Sequence, residues 1–542
     1  MRKRFLSLQW KMALSVWALL LVVCLPAQAA STFDLSSAPG SPISSADYNW
    51  DPGTKVLTVN DGADITITGA TSDGTRIEVA ASATATITLD NASIDLSALP
   101  SPTLNESPLL LDAGANVTLT IEGNNLLQGG SRGGALSHAA GIGAPAGTTL
   151  TINGTGTLTA NGGYSSAGIG GDGTTGTGGD ITIDSGTVIA QGGYMGGAGI
   201  GGGYGATSRD GGNITINGGT VTATGGMASA GIGGGPSGAG GTITITGGTV
   251  TASGDQGLNQ GGAGIGGGVS GEGGDITISG GTVKATGSLA SAGIGGGILG
   301  AGGTITITGE ASVTAQGGAG YLAAYGGGAG IGSGGGDTAQ PVSAGTIVID
   351  VDTTSTGAVN ATGGAAAGTG ADIGEGGYLG NNGAGVRSFN GPSPASLTVP
   401  VGGTASFTCG ETLMTGPAST LTSTWQYSRT NPAGAALWLP SLSSWPPLEP
   451  LDPPGITEVS SDSTTLTLAV VKAEMEGYYR CAVMYSGLMN DPNSSILYLS
   501  QTAAELNIDR AGATPIPALN PAALALLGLA LAGLAGLGRR RG

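Results

Sequence analysis

Few side chains in this sequence have the types for chemistry, and their spacing excludes most reactions. The single histidine, His138, has no serine or cysteine partner motif, so nucleophilic catalysis is not expected. Cleaving a polysaccharide needs clustered carboxylates, commonly with a basic residue or calcium. Between residues 31 and 391 the basic residues are Lys55, Arg76, Arg132, Arg209, Lys284 and Arg387, scattered along the chain. Asp180 and Asp275 each precede an Ile-Thr-Ile run, but no Gly-Gly-X-Gly-X-Asp nonapeptide recurs. They read as turn-capping groups, and no metal or cofactor is expected. What does recur is a large side chain five to seven positions ahead of a repeated isoleucine: Tyr164, Tyr194, Met227, Leu258, Leu289 and Tyr325. Tyrosine faces stack on sugar rings, so Tyr164, Tyr194 and Tyr325 form a candidate glycan-stacking edge; sealing a corner is the competing role.

The elements that must position these residues are repeats. An Ala-Gly-Ile-Gly phrase followed by a Thr/Ile/Val stretch is centred on Ile142, Ile169, Ile200, Ile232, Ile265, Ile294 and Ile331, at spacings of 27 to 37 residues. Such self-similarity marks a solenoid. In one unit, Asn213-Ile214-Thr215-Ile216 and Thr220-Val221-Thr222-Ala223-Thr224 are separated by glycines, and Ile232-Gly233 supplies a third short strand. Alternation sends Ile214, Ile216, Val221 and Ala223 inward and the threonines outward. A unit of about 30 residues cannot bury that face alone, whereas stacked coils can. The sequence therefore predicts a right-handed parallel β-helix of three faces over 31–391, with the strand patterns of 54–130 forming earlier, atypical coils. The 110 glycines serve its corners and close backbone contacts.

Stacking also constrains charge. The residue before each Ile-Thr-Ile run is Asp180, Asn213, Thr242, Asp275 and Thr304 in turn, so no two aspartates become neighbours. Threonine ranks such as Thr220, Thr222, Thr224, Thr249 and Thr251 resemble those of ice-binding solenoids, a minor alternative because Ile189, Lys284 and Gln316 interrupt them.

Both termini carry export signals. Arg2, Lys3 and Arg4 precede an apolar run and Ala27-Gln28-Ala29, so residues 1–30 read as a signal peptide for signal peptidase. At the other end, Pro521 to Gly538 is apolar and uncharged and is closed by Arg539, Arg540 and Arg541, as in a transmembrane stop-transfer helix. With Ile516, Pro517, Ala518 and Leu519 ahead of it, the segment 510–542 resembles the IPTL-CTERM sorting domain, related in layout to PEP-type signals. Ala518 stands where that family has threonine. The resemblance implies an exosortase-like sorting enzyme as partner and at least transient anchoring in the inner membrane of a Gram-negative bacterium; an ordinary tail anchor is the alternative.

The body between these signals is acidic. Residues 31–512 hold ten basic and 35 acidic side chains, a net charge near −25. Phosphate binding needs clustered Lys or Arg, so no nucleic-acid partner is expected. In an oxidising compartment Cys409 and Cys481 are expected to pair. Trp425 follows the first by 16 positions and Tyr479 lies two before the second, with alternating segments at 396–399, 405–409, 466–470 and 504–508. This resembles the immunoglobulin fold, and implies a sandwich over 392–509 with Trp425 packed on the disulfide and Tyr479 fixing a corner. Its proline-rich insert carries Trp438 and Trp445, a candidate recognition loop unless the rings fold back on the sheet.

The expected class is thus all-β: a right-handed parallel β-helix followed by an immunoglobulin-like β-sandwich, between an N-terminal signal and a C-terminal transmembrane helix. Together these resemble bacterial surface proteins of the adhesin or matrix type. That resemblance implies a non-enzymatic protein at the outer envelope, contacting a polysaccharide or another cell-surface ligand. A secreted polysaccharide lyase or hydrolase is the rival.

Overall fold

The computed structural model describes residues 30–97, 106–130, 139–205, 209–255, 261–321, 324–337, 342–351, 358–366, 368–378, 381–383, 385–393, 396–414, 420–428, 465–468, 471, 476–486, 495–499 and 504–509. They fall into two compact units. The first comprises the chain to Phe389 with Glu411–Leu421 and Met484–Gln501; the second comprises Asn390–Gly410, Thr422–Val483 and Thr502–Gly542.

The first unit is a parallel β-solenoid with three ladders of strands. In one coil, Asn213–Ile216 lies on face 1, Thr220–Thr224 on face 2 and Ile232–Gly233 on face 3. Each strand pairs in parallel with its counterpart in the next coil, and like residues meet. On face 1 Ile181, Ile214, Ile243, Ile276 and Ile305 are successive partners. On face 2 Val188, Val221, Val250, Val283 and Val313 are. On face 3 the seven repeated isoleucines, Ile142 to Ile331, stack in order, and Ile373 adds an eighth rung. That last rung escapes the sequence phrase because Asp372 replaces its first glycine.

These columns form one continuous core from Phe33 to Ile373, with the aliphatic side chains almost wholly buried. A single isoleucine truncated to alanine there costs about 2–5 kcal/mol. The earlier coils expected at 54–130 are present: Leu57, Ile77, Leu109 and Ile142 are successive partners on face 3. Aromatic side chains close the N-terminal end. Phe33 packs on Tyr48 and Trp50 with ring centroids 5.6 and 5.3 Å apart, and the Trp50 indole donates to the Pro39 carbonyl at 2.6 Å.

Glycine makes the corners possible. Gly233 has φ +126°, and a Cβ there would lie 2.1 Å from the Gly266 carbonyl oxygen of the next coil. Both the conformation and the clearance exclude a side chain. Outside, the charge spacing read from sequence holds. Asp180, Asn213, Thr242, Asp275 and Thr304 are stacked neighbours, and the Asn213 amide donates to Asp180 at 2.7 Å. At the next corner Asn217 donates to Asp184 at 2.8 Å and accepts from Thr246 at 2.9 Å.

Two later segments finish the C-terminal coils. Gly385–Ser393 runs antiparallel to Ile373–Gly374, and Ser495–Leu499 adds in parallel to Thr346–Val351, pairing Thr346 with Ser495 and Ile349 with Tyr498. The second of these contacts joins residues far apart in sequence and left no pattern in either strand.

The strands read at 396–399, 405–409, 466–470 and 504–508 appear as Ser396–Pro400, Ala405–Met414, Thr465–Leu468 and Ala504–Asp509, all in the second unit except for Glu411–Met414. Ser396–Pro400 pairs in parallel with Ala504–Asp509. Ala405–Met414 pairs antiparallel with Thr465–Leu468, and Gly477–Ser486 with Ala504–Asp509.

Two measurements check this packing. Gly233→Ala should destabilise the solenoid by more than about 2 kcal/mol, read as a lower denaturant midpoint. Asn217→Asp should lower the thermal midpoint at pH 7 by setting carboxylates about 5 Å apart, and the loss should vanish below about pH 4; an unchanged midpoint would contradict the stacking.

Candidate functional site

The most exposed aromatic side chains among the described residues of the solenoid sit on its turns. Between faces 2 and 3 the chain passes through paired glycines so tight that a Cβ on Gly193 would lie 1.6 Å from the Gly163 carbonyl oxygen. The residues following these two glycines are Tyr164 and Tyr194. The Met195 amide donates to the Tyr164 carbonyl at 2.7 Å and the Met227 amide to the Tyr194 carbonyl at 3.4 Å, so Tyr164, Tyr194 and Met227 occupy one column on consecutive coils. The two tyrosine rings lie 6.1 Å apart, tilted by 37°. Tyr164 is half-buried, whereas Tyr194 is 78 % exposed.

Two residues that sequence reasoning did not single out for binding join this patch. Tyr204, in the glycine-rich turn that follows Ile200, is 44 % exposed, and its amide donates to the Ser165 carbonyl beside Tyr164 at 2.9 Å. The Arg209 guanidinium carbon lies 4.2 Å from the Tyr204 ring centroid, a cation–π contact. The available signal was Tyr204 itself, an aromatic residue in an otherwise glycine-rich turn.

Tyr325 does not extend the column. The Ala290 amide donates to Ala319, which places Ala319 over Leu289, while Tyr325 belongs to a longer turn and stacks on Tyr321 with centroids 6.4 Å apart. Counting back from the isoleucine fails there because the turn is longer.

In the second unit Trp425, Tyr479 and Cys481 are buried, and the Phe407 ring lies 5.6 Å from Tyr479 and 6.5 Å from Trp425. Cys481 is disulfide-bonded. Cys409 lies on the strand Ala405–Met414, but its side chain is outside the described residues, as are His138, Trp438 and Trp445. So are residues 1–29 and 510–542, with Ile516, Pro517, Ala518, Leu519, Arg539, Arg540 and Arg541. Among the described residues no helix is long and apolar enough to cross a membrane, and no group of His, Cys, Asp and Glu could hold a metal ion.

Charged groups converge elsewhere, on the early coils. Arg76 bridges Glu78 at 3.0 Å and Glu106 at 3.2 Å, and Lys55 pairs with Asp73 at 2.9 Å. Burial and the nearby Glu78 charge raise the Asp112 pKa. Burial also presses upward on Asp73, but hydrogen bonds from Thr71, Lys55 and Thr75 outweigh it and hold that carboxyl well below the usual range. Sequence alone did not show that Arg76 meets two carboxylates, because Glu106 reaches it from a different coil.

With this geometry, the resemblances to known proteins can be placed. Five segments, 150–173, 181–204, 214–236, 243–269 and 276–298, match a β-helix repeat model. Each covers one coil through all three faces. Residues 514–541 match the IPTL-CTERM motif. No curated protein and no solved structure matches the chain.

The two shifted carboxylates have opposite signatures. Asp73 contributes stability above its unfolded pKa near 3.8 that is lost as pH falls. Asp112 is destabilising while ionised, and acid relieves it. Asp73→Asn should therefore lower the thermal midpoint at pH 7 and Asp112→Asn should raise it. Equal effects of the same sign would contradict these environments.

Proposed function

We propose that this chain is a non-enzymatic cell-surface protein of the adhesin or matrix type, whose solenoid holds a glycan-binding patch on its turns. One observation carries the reading: Tyr194 is 78 % exposed on a turn hydrogen-bonded to the preceding coil, where the Tyr164 ring lies 6.1 Å away. An exposed tyrosine ring beside a half-buried one, held by backbone hydrogen bonds between coils, offers apolar surface to a sugar ring at little entropic cost. The IPTL-CTERM match supports export to the surface and a sorting enzyme acting on the tail.

The reading of the second unit as an immunoglobulin-like domain belongs to the same proposal. It is supported by parallel pairing of the first and last strands, by the antiparallel pairs, by Trp425 and Tyr479 packed on Phe407, and by buried, disulfide-bonded Cys481. Cys409 is the proposed partner of Cys481.

A second reading, polysaccharide cleavage, draws on Arg76 with Glu78, Glu106 and the raised Asp112 carboxyl. We favour binding because Arg76 is already committed to two carboxylates. Incubating the purified exported protein with a panel of polysaccharides separates the two. Saturable binding without new reducing ends or unsaturated products is expected, with Tyr194→Ala weakening it at least ~10-fold, since ring stacking contributes about 0.5–1.5 kcal/mol beyond the area it buries. Turnover that is lost in Glu78→Gln would overturn the proposal.

A further inference from the structure

We propose that the tyrosine patch selects acidic sugars, with Arg209 as the group that recognises a hexuronate carboxylate; this rests on the glycan reading above. The geometry singles this arginine out. Its Nε donates to the Gly205 carbonyl and its Nη1 to the Pro236 carbonyl on the following coil, both at 2.8 Å. The guanidinium also lies over the Tyr204 ring. Three contacts hold it in one orientation before any ligand arrives.

Its donors are not exhausted. A guanidinium has five N–H groups and accepts nothing, so two bonds leave three donors. Arg209 makes no ion pair among the described residues, in contrast to Lys55 and Arg76. A fixed cation with spare donors beside an exposed aromatic face fits a ligand with an apolar ring and an anionic substituent.

The turn architecture keeps this cation next to the tyrosines. A Cβ on Gly196, two residues beyond Tyr194, would lie 2.6 Å from Pro236 Cγ and 3.1 Å from Tyr204 Cδ2. Tyr204 and Pro236 thus pack against the turn that carries Tyr194, and the Tyr204 amide donates to the Ser165 carbonyl in the turn that carries Tyr164. The acidic body opposes anionic polymers at long range, so selection acts through this short contact.

The test compares oligogalacturonate, its methyl ester and a sulfated oligosaccharide without carboxylates as ligands of the full exported chain. The acid should bind roughly 10-fold more tightly than the ester, and Arg209→Gln should erase that preference while weak binding of the ester persists. The comparison on unaltered protein makes the test independent of any loosening caused by the substitution. Equal affinity for acid and ester, or an Arg209→Gln protein that still prefers the acid, would overturn this inference and leave the glycan reading intact. Preference for the sulfated ligand would overturn the carboxylate assignment. If no glycan binds at all, the parent reading fails as well.

Discussion

Everything in the solenoid depends on identical backbone geometry being laid on itself at the spacing of hydrogen-bonded strands, about 4.8 Å. At that distance each residue meets its own counterpart, so a column must tolerate itself. Isoleucine and valine columns do so by interlocking inside, and threonine does so outside. Glycine does so at the Ile-Gly corners, where carbonyl oxygens come within about 2 Å of any added Cβ. On face 1 asparagine and threonine separate Asp180 from Asp275, whereas on an earlier coil Asp90 does meet Glu122. The composition follows from this self-tolerance.

That same constraint explains what could be read without coordinates. Three ladders, their inward residues and the stacking of Asp180 on Asn213 are periodic properties, and period is visible in sequence. The rung at Ile373 was missed because one glycine of its phrase is replaced, although the partner geometry is unchanged. Ser495–Leu499 was invisible for a different reason: pairing across such a separation has no local signature.

The candidate site was half legible. Tyr164 and Tyr194 were found because they obey the repeat. Tyr204 and Arg209 were not, because they sit in a turn whose length and residues are particular to one coil. Tyr325 shows the converse, a residue that matched the count while its turn had lengthened. In a solenoid the repeated positions build the scaffold, and individuality collects where the repeat lapses.

The parallel pairing of Ser396–Pro400 with Ala504–Asp509 has a mechanical consequence. The chain enters the first strand at Ser396 and leaves the second at Asp509. In a parallel pair those two points lie at opposite ends of the ladder. Tension applied to those two points would load all the rungs of that pair together in shear, and none would peel away ahead of the others.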